Sequence, residues 1–68
     1  MNALRQARMK ARLTAFALAE RAESKEGRIY AFERGRHRPK RDEALRISAV
    51  LGERAEDLFP DVFPEGGR

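Results

Sequence analysis

The chain has 68 residues, of which 15 are Lys or Arg and 11 are Asp or Glu, and it contains no cysteine. A chain of this length forms one domain whose core stabilises it by only about 3–5 kcal/mol, and disulfide bonds are excluded. No apolar run approaches the roughly 20 residues of a membrane-spanning helix, and the N-terminus carries no signal-peptide core, so we expect a soluble cytoplasmic protein.

The residue types also argue against an enzyme. The chain has one histidine, one threonine and two serines, and it lacks a Gly-rich phosphate loop. No group of His, Cys, Asp and Glu has the spacing of metal ligands. We therefore expect no catalytic activity, no metal, no cofactor and no small-molecule ligand.

The first half of the chain carries apolar residues at helical spacing in three segments. We predict helices over about residues 3–12, 15–22 and 25–34. Their candidate N-caps are Asn2, Thr14 and Ser24, because these side chains can accept from a free amide one turn on. The short break at Glu23-Ser24-Lys25 makes the second and third helices cross steeply, as in a helix-turn-helix.

The second half predicts two further helices. The fourth begins near residue 42 and ends at Gly52, with Asp42 and Glu43 in its first turn because negative charge suits the helix dipole. Its predicted core face consists of Ala44, Leu45, Ile47, Ser48 and Leu51. A short fifth helix covers about residues 55–59. We thus expect an all-α, five-helix domain over residues 1–59 and a short C-terminal tail over residues 60–68, which is extended over residues 60–64 and disordered over residues 65–68.

The order and spacing of several short motifs resemble those of one family. The motifs are Leu4-x-x-x-Arg8-x-x-x-x-Leu13-Thr14-x-x-x-Leu18-Ala19, Ile29-x-x-Phe32-Glu33-Arg34-Gly35, Pro39, Ala44-Leu45-x-Ile47, Leu51-Gly52 and Asp57-Leu58-Phe59. Together they are similar to the phage-repressor family of helix-turn-helix proteins, lambda-repressor-like and XRE-type, over about residues 2–59. The resemblance implies a small DNA-binding domain in which Arg8 and Glu33 form a partly buried ion pair.

The turn between the second and third helices departs from that family. The family favours Gly where Glu23 stands, because one residue there is left-handed, and an apolar residue where Ser24 stands. A left-handed Glu23 costs of order 1 kcal/mol, so the turn is either strained or shifted by a residue.

The third helix is the predicted reader of the DNA major groove. By resemblance, Glu26 and Gly27 match the family's base-reading pair, and Tyr30 and Ala31 lie one turn on. Arg28 can donate to guanine O6 and N7, or reach a phosphate from the edge of the helix. Glu26 can accept from cytosine N4 or orient Arg28. For Tyr30, the alternative is a half-exposed surface aromatic.

The basic residues concentrate around this helix. Residues 1–41 hold 12 Lys or Arg against 4 Glu, a net charge of +8, whereas residues 42–68 carry a net charge of −4. A positive end suits a phosphate surface. By resemblance, Arg34, Arg36 and Arg38 clamp phosphates, and the turn can add further contacts from nearby side chains. The additional candidates are Lys25, His37 and Lys40, with a solvated histidine as the alternative for His37.

We therefore expect a sequence-specific regulator of transcription that binds double-stranded DNA and acts as a repressor. It would bind a pseudo-palindromic operator as a homodimer through its C-terminal region, where Phe59, Val62 and Phe63 either form the interface or fold back on their own chain. The alternative is a protein-interaction module, such as an adaptor or antitoxin, that retains the fold. Departures from the family favour that alternative: Ala15 stands where the family often carries a polar residue that contacts phosphate, Glu23 stands in the turn where Gly is usual, and Glu26 places a carboxylate near phosphates. The exposed Phe16 and the apolar tail favour it too.

Overall fold

The computed structural model describes residues 2–64, most of which lie in five α-helices. They are α1 (Ala3–Lys10), α2 (Ala15–Arg21), α3 (Glu26–Glu33), α4 (Arg41–Leu51) and α5 (Ala55–Leu58). The predicted all-α, five-helix fold is confirmed. Within residues 2–64, no helix has the length and apolar character needed to cross a bilayer. The predicted disorder of residues 65–68 lies outside the described residues.

The largest fully buried side chains of the core come one from each of the four longest helices. These side chains are Leu4, Leu18, Ile29 and Ile47. The prediction that Leu45 belongs to this core is wrong, because 53% of it is exposed. One residue step rotates Leu45 by about 100° from Ala44, which carries it past the edge of the buried stripe.

The predicted caps of α1 and α2 are confirmed. The side chain of Asn2 accepts from the amide of Arg5 at 3.0 Å, and that of Thr14 accepts from the amide of Ala17 at 3.0 Å. Asn2 also donates through Nδ2 to the carbonyl oxygens of Phe32 and Glu33, at 3.1 and 2.7 Å. One side chain therefore begins α1 and satisfies carbonyl groups at the end of α3.

A second link between these helices is the ion pair that the resemblance implied. Arg8 donates from Nε to Glu33 Oε2 at 2.6 Å and from Nη2 to Oε1 at 3.2 Å. Its Nη1 donates to the carbonyl oxygen of Leu13 at 2.9 Å. The two side chains are only 12% and 6% exposed, and the Glu33 carboxylate raises the pKa of Arg8. Because loss of one partner leaves a buried charge, it should cost about 3–5 kcal/mol.

The turn between α2 and α3 keeps the left-handed residue expected from the resemblance. Glu23 has φ of 57°, and the amide of Ser24 donates to the carbonyl oxygen of Ala19 at 2.7 Å, which closes α2. The prediction that Ser24 caps the third helix is wrong. Lys25 is the N-cap of α3 and makes no side-chain capping bond, while the Ser24 hydroxyl donates to Glu43.

The C-terminal segment folds back on its own chain, which was one of the two expected alternatives. The prediction that residues 60–64 are extended is wrong, because the chain turns after Phe59. Phe59 and Phe63 are only 7% and 6% exposed. The amides of Val62 and Phe63 both donate to the carbonyl oxygen of Phe59, at 2.9 and 3.1 Å. The guanidinium of Arg41 lies 4.4 Å from the centre of the Phe63 ring. The two phenylalanines therefore belong to the core of the subunit.

The left-handed turn predicts that Glu23→Gly stabilises the protein. Glycine adopts positive φ without the steric cost of a Cβ, so the free energy of unfolding should rise by about 1 kcal/mol in urea denaturation. Glu20→Gly, inside α2, is the matched control and should lower it by a similar amount. A Glu23→Gly variant that is less stable than the wild type would show that this backbone conformation is unstrained or absent.

Candidate nucleic-acid interface

One face of α3, which we call the free face, is largely exposed. Ile29 and Phe32 are buried, whereas Glu26, Gly27 and Tyr30 are exposed. Ala31 is half-buried at the edge of this face. The α-helical repeat separates the two sets, because residues 26, 27, 30 and 31 share one side. The structure therefore brings together the residues that the sequence predicted as base readers, on a surface that a partner can approach.

Gly27 has no role in the packing of its own domain. A Cβ atom added at this position would meet nothing within 4 Å, and its φ is not positive. A glycine inside a helix costs about 0.5–1 kcal/mol relative to alanine. Gly27 therefore lowers the stability of the helix, and no contact among residues 2–64 compensates for it. A glycine of this kind is expected where another molecule approaches the backbone closely.

Tyr30 and Arg34 extend the exposed face towards the end of α3. The Arg34 guanidinium lies 5.9 Å from the centre of the Tyr30 ring, which is itself 40% exposed. Both side chains border a shallow hollow together with Arg5 from α1. Arg5 is exposed and was not among the predicted binding residues, since its place beside α3 depends on the packing of α1.

Arg28 stands at the edge of the face, in a contact that the sequence did not predict. It donates from Nε to Glu43 Oε2 at 3.0 Å and from Nη2 to Oε1 at 2.6 Å. The Ser24 hydroxyl donates to the same Oε2 at 2.6 Å. The prediction that Glu26 orients Arg28 is replaced by this finding, because Glu43 makes both hydrogen bonds to the guanidinium.

Glu43 is buried although it was predicted only as a dipole partner in the first turn of α4. It is 6% exposed and lies four residues before the fully buried Ile47, on the same helical stripe. The hydrogen bond from Arg28 is the main reason that the pKa of Glu43 is lowered, and Ser24 acts in the same direction. A carboxylate at a core-facing position, as at Glu43, was the available signal that a cation would pair with it.

The basic turn, residues 35–40, follows α3 directly. Gly35 has φ of 73°, and the amide of Arg36 donates to the carbonyl oxygen of Ala31 at 3.0 Å, so the chain reverses at the end of the helix. Pro39 is buried and holds the turn against the domain. Arg36, His37, Arg38 and Lys40 are all exposed.

The exposed cations that flank α3 along the chain have no carboxylate partners among the described residues. Arginines that do form ion pairs with Asp or Glu include Arg8, Arg28, Arg46 and Arg54. Five exposed cations of the predicted site form none with described residues, namely Lys25, Arg34, Arg36, Arg38 and Lys40. Lys25 precedes the N-terminus of α3 and the other four follow its C-terminal end. The free face of the helix therefore lies between positive charges at both ends.

Comparison with protein families identifies a helix-turn-helix domain. The sequence model of a family described as a helix-turn-helix domain matches residues 2–59. This range begins at the N-cap of α1 and ends just after α5, so it contains every predicted binding residue. No match was found among curated proteins or among solved structures.

Because Glu43 is buried and its pKa is lowered, we predict that the difference in stability between the wild type and Glu43→Gln depends on pH. Glu43→Gln should lower the free energy of unfolding at pH 7 by about 1.5–3 kcal/mol, the usual contribution of a hydrogen bond to a charged group. Since the folded-state pKa lies below the ordinary 4.5, this contribution is present above pH 4.5 and is lost as the pH falls through the folded value.

Urea denaturation of both proteins between pH 7 and pH 3 measures this effect. The difference between wild type and Glu43→Gln should shrink below pH 4.5. The control Asp42→Asn removes a neighbouring carboxylate that is 76% exposed, and it should change stability little at any pH. A difference for Glu43→Gln that is equal at pH 7 and pH 3 would contradict the role of the charge.

Proposed function

The chain belongs to the helix-turn-helix family of the phage-repressor type, and from this premise we propose that it regulates transcription as a sequence-specific repressor. In this proposal the protein binds double-stranded DNA, with α3 in the major groove and the basic turn on the sugar-phosphate backbone. The observation that carries the proposal is the exposed face of α3 between cations that lack carboxylate partners.

The unpaired cations support contacts with phosphate. An exposed cation without a carboxylate partner releases only water and counterions when it binds a phosphate, because no ion pair has to be broken first. Arg34, Arg36 and Arg38 are proposed as the principal phosphate contacts, with Lys25 and Lys40 beside them. His37 lies within the same turn and can donate to a phosphate. Such contacts fix the position of the protein on the duplex.

The free face of α3 supports readout of the bases. Glu26 and Gly27 lie in its first turn, which is the part of a recognition helix that meets base edges. At Gly27 the helix can approach the groove without a side chain in the way. One turn later, Tyr30 and Ala31 offer an aromatic ring and a methyl group, which suit contact with the methyl group of thymine.

We propose that two subunits bind one pseudo-palindromic operator. A two-fold dimer places the α3 helices in successive major grooves, with half-sites about one helical turn apart. Because Phe59 and Phe63 are buried in their own subunit, these rings are not available as the dimer contact. Bound at a promoter, such a dimer represses by excluding polymerase.

A second candidate function is favoured by exposed apolar side chains. Phe16 on α2 and Leu45 on α4 are 56% and 53% exposed. Under this reading the chain is a protein-interaction module, such as an adaptor or antitoxin, that retains the fold. The two functions differ in their sensitivity to the basic turn, because only DNA binding requires the cations at Arg36 and Arg38.

Removing one phosphate contact should change the salt dependence of binding. If each subunit contacts about three phosphates, the log-log slope of affinity against salt for the dimer is near −5. Arg38→Ala should reduce its magnitude by about 2, because each subunit loses one contact. The control is Lys10→Ala, an exposed cation at the far end of α1. Binding titrations that give equal slopes for both variants would contradict the phosphate assignment.

The Gly27→Ala variant should be more stable than the wild type but should bind DNA less tightly. Gly27→Ala should raise the free energy of unfolding by about 0.5–1 kcal/mol, because the space is open and alanine favours the helix. It should weaken binding to a selected duplex about tenfold or more, since the added Cβ meets the groove. The control Ala49→Gly, on the exposed side of α4, should lower stability and leave affinity unchanged. A more stable Gly27→Ala variant with full affinity would contradict close approach of α3.

A further inference from the structure

The contact between Arg28 and Glu43 occupies one edge of the guanidinium and leaves another open. An arginine side chain carries five N–H donors in a plane. Glu43 accepts from Nε and from one hydrogen of Nη2, the edge that faces α4. The outer edge retains one N–H on each of Nη1 and Nη2, and Nη1 donates to no group within residues 2–64. The two donors on this outer edge are parallel to each other.

The orientation of that outer edge is restrained by two contacts to the guanidinium and by one contact that holds its carboxylate partner. Glu43 holds the guanidinium through two hydrogen bonds, and the Ser24 hydroxyl donates to the same carboxylate at 2.6 Å. The guanidinium carbon lies 5.2 Å from the centre of the Phe32 ring. Even so, the Arg28 side chain remains 49% exposed. A side chain that is held in place and still accessible loses little rotamer freedom when it binds a partner.

The contact with Glu43 also indicates whether Arg28 binds a phosphate or a guanine. A phosphate is attracted by unbalanced positive charge, and the Glu43 carboxylate cancels that charge at close range. A guanine is recognised instead by geometry, because its O6 and N7 accept from two parallel donors. The outer edge of Arg28 provides those donors while the carboxylate contact persists, so the paired arginine suits a base better than a phosphate.

We propose that Glu43 and Ser24 are positioning residues that present the outer edge of Arg28 to one guanine in each half-site. This inference rests on the proposed function, since it assigns a base to the face of α3. It adds a residue of α4 and one of the turn to the determinants of specificity, although neither contacts DNA. As a consequence, the preference for guanine at one position of the half-site depends on the Glu43 carboxylate, which lies behind α3.

The test measures affinity for a duplex recovered from a random pool and for copies changed at each base pair. For the wild-type chain, replacing one particular guanine should weaken binding about tenfold. Arg28→Lys keeps the positive charge but lacks the two parallel donors, and it should lose the preference at that position alone. Glu43→Gln should lose it too, while preferences elsewhere and the salt dependence stay unchanged. Ser24→Ala should show a smaller loss at the same position.

Asp42→Asn is the matched control, because it removes the adjacent carboxylate, which does not contact Arg28. It should keep the full guanine preference. If Glu43→Gln keeps that preference while folding normally, the positioning role is overturned. If Arg28→Ala instead weakens all duplexes equally and lowers the magnitude of the salt slope, Arg28 contacts a phosphate and the inference is also overturned.

The outcomes separate this inference from the proposed function. The wild-type chain could select a motif in which no guanine depends on Arg28. That result would leave sequence-specific binding intact and would refute only the roles assigned to Arg28, Glu43 and Ser24. A wild-type chain that selects no motif refutes both. Ser24→Ala keeps the test decisive if Glu43→Gln unfolds, because it removes a single hydrogen bond from the partly buried network.

Discussion

Two charge pairs hold α3 in place, and the candidate interface depends on them. Arg8 from α1 binds Glu33 at the C-terminal end of the helix, and Glu43 from α4 binds Arg28 near its N-terminal end. A helix of eight residues is not stable alone in water, so tertiary contacts must maintain it. With Ile29 and Phe32 buried between the two pairs, one face of α3 is fixed and the opposite face is left for a partner.

The arginines on and beside α3 have different physical roles from the arginine that anchors it. Arg8 is almost entirely buried against a carboxylate and serves the fold. Arg34, Arg36 and Arg38 are exposed and have no carboxylate partner among the described residues, which keeps their charge available to an anionic surface. Arg28 combines both properties, since one edge of its guanidinium is paired and the other is open. Net charge alone does not reveal this division, because it depends on which carboxylates lie nearby.

Local features of the fold could be predicted from the sequence, whereas contacts between distant residues mostly could not. Apolar spacing located all five helices within a few residues, and Asn2 and Thr14 were identified as caps because capping is a local interaction. The pairing of Arg8 with Glu33 followed from the family resemblance. Periodicity places Glu43 on the core-facing side of α4, but it does not identify its partners, since Ser24 and Arg28 lie 19 and 15 residues away. Ser24 could cap α3 or bind a buried carboxylate, and the charged acceptor forms the stronger bond.

Selection of bound duplexes from a random DNA pool, with the purified chain at about 0.1 M salt, tests the central claim most directly. The claim is that α3 and the basic turn form a sequence-specific interface for double-stranded DNA. The account predicts recovery of a palindromic motif whose half-sites are about one helical turn apart. Recovery of no motif, with only weak and salt-sensitive binding, would contradict it and favour the protein-interaction module.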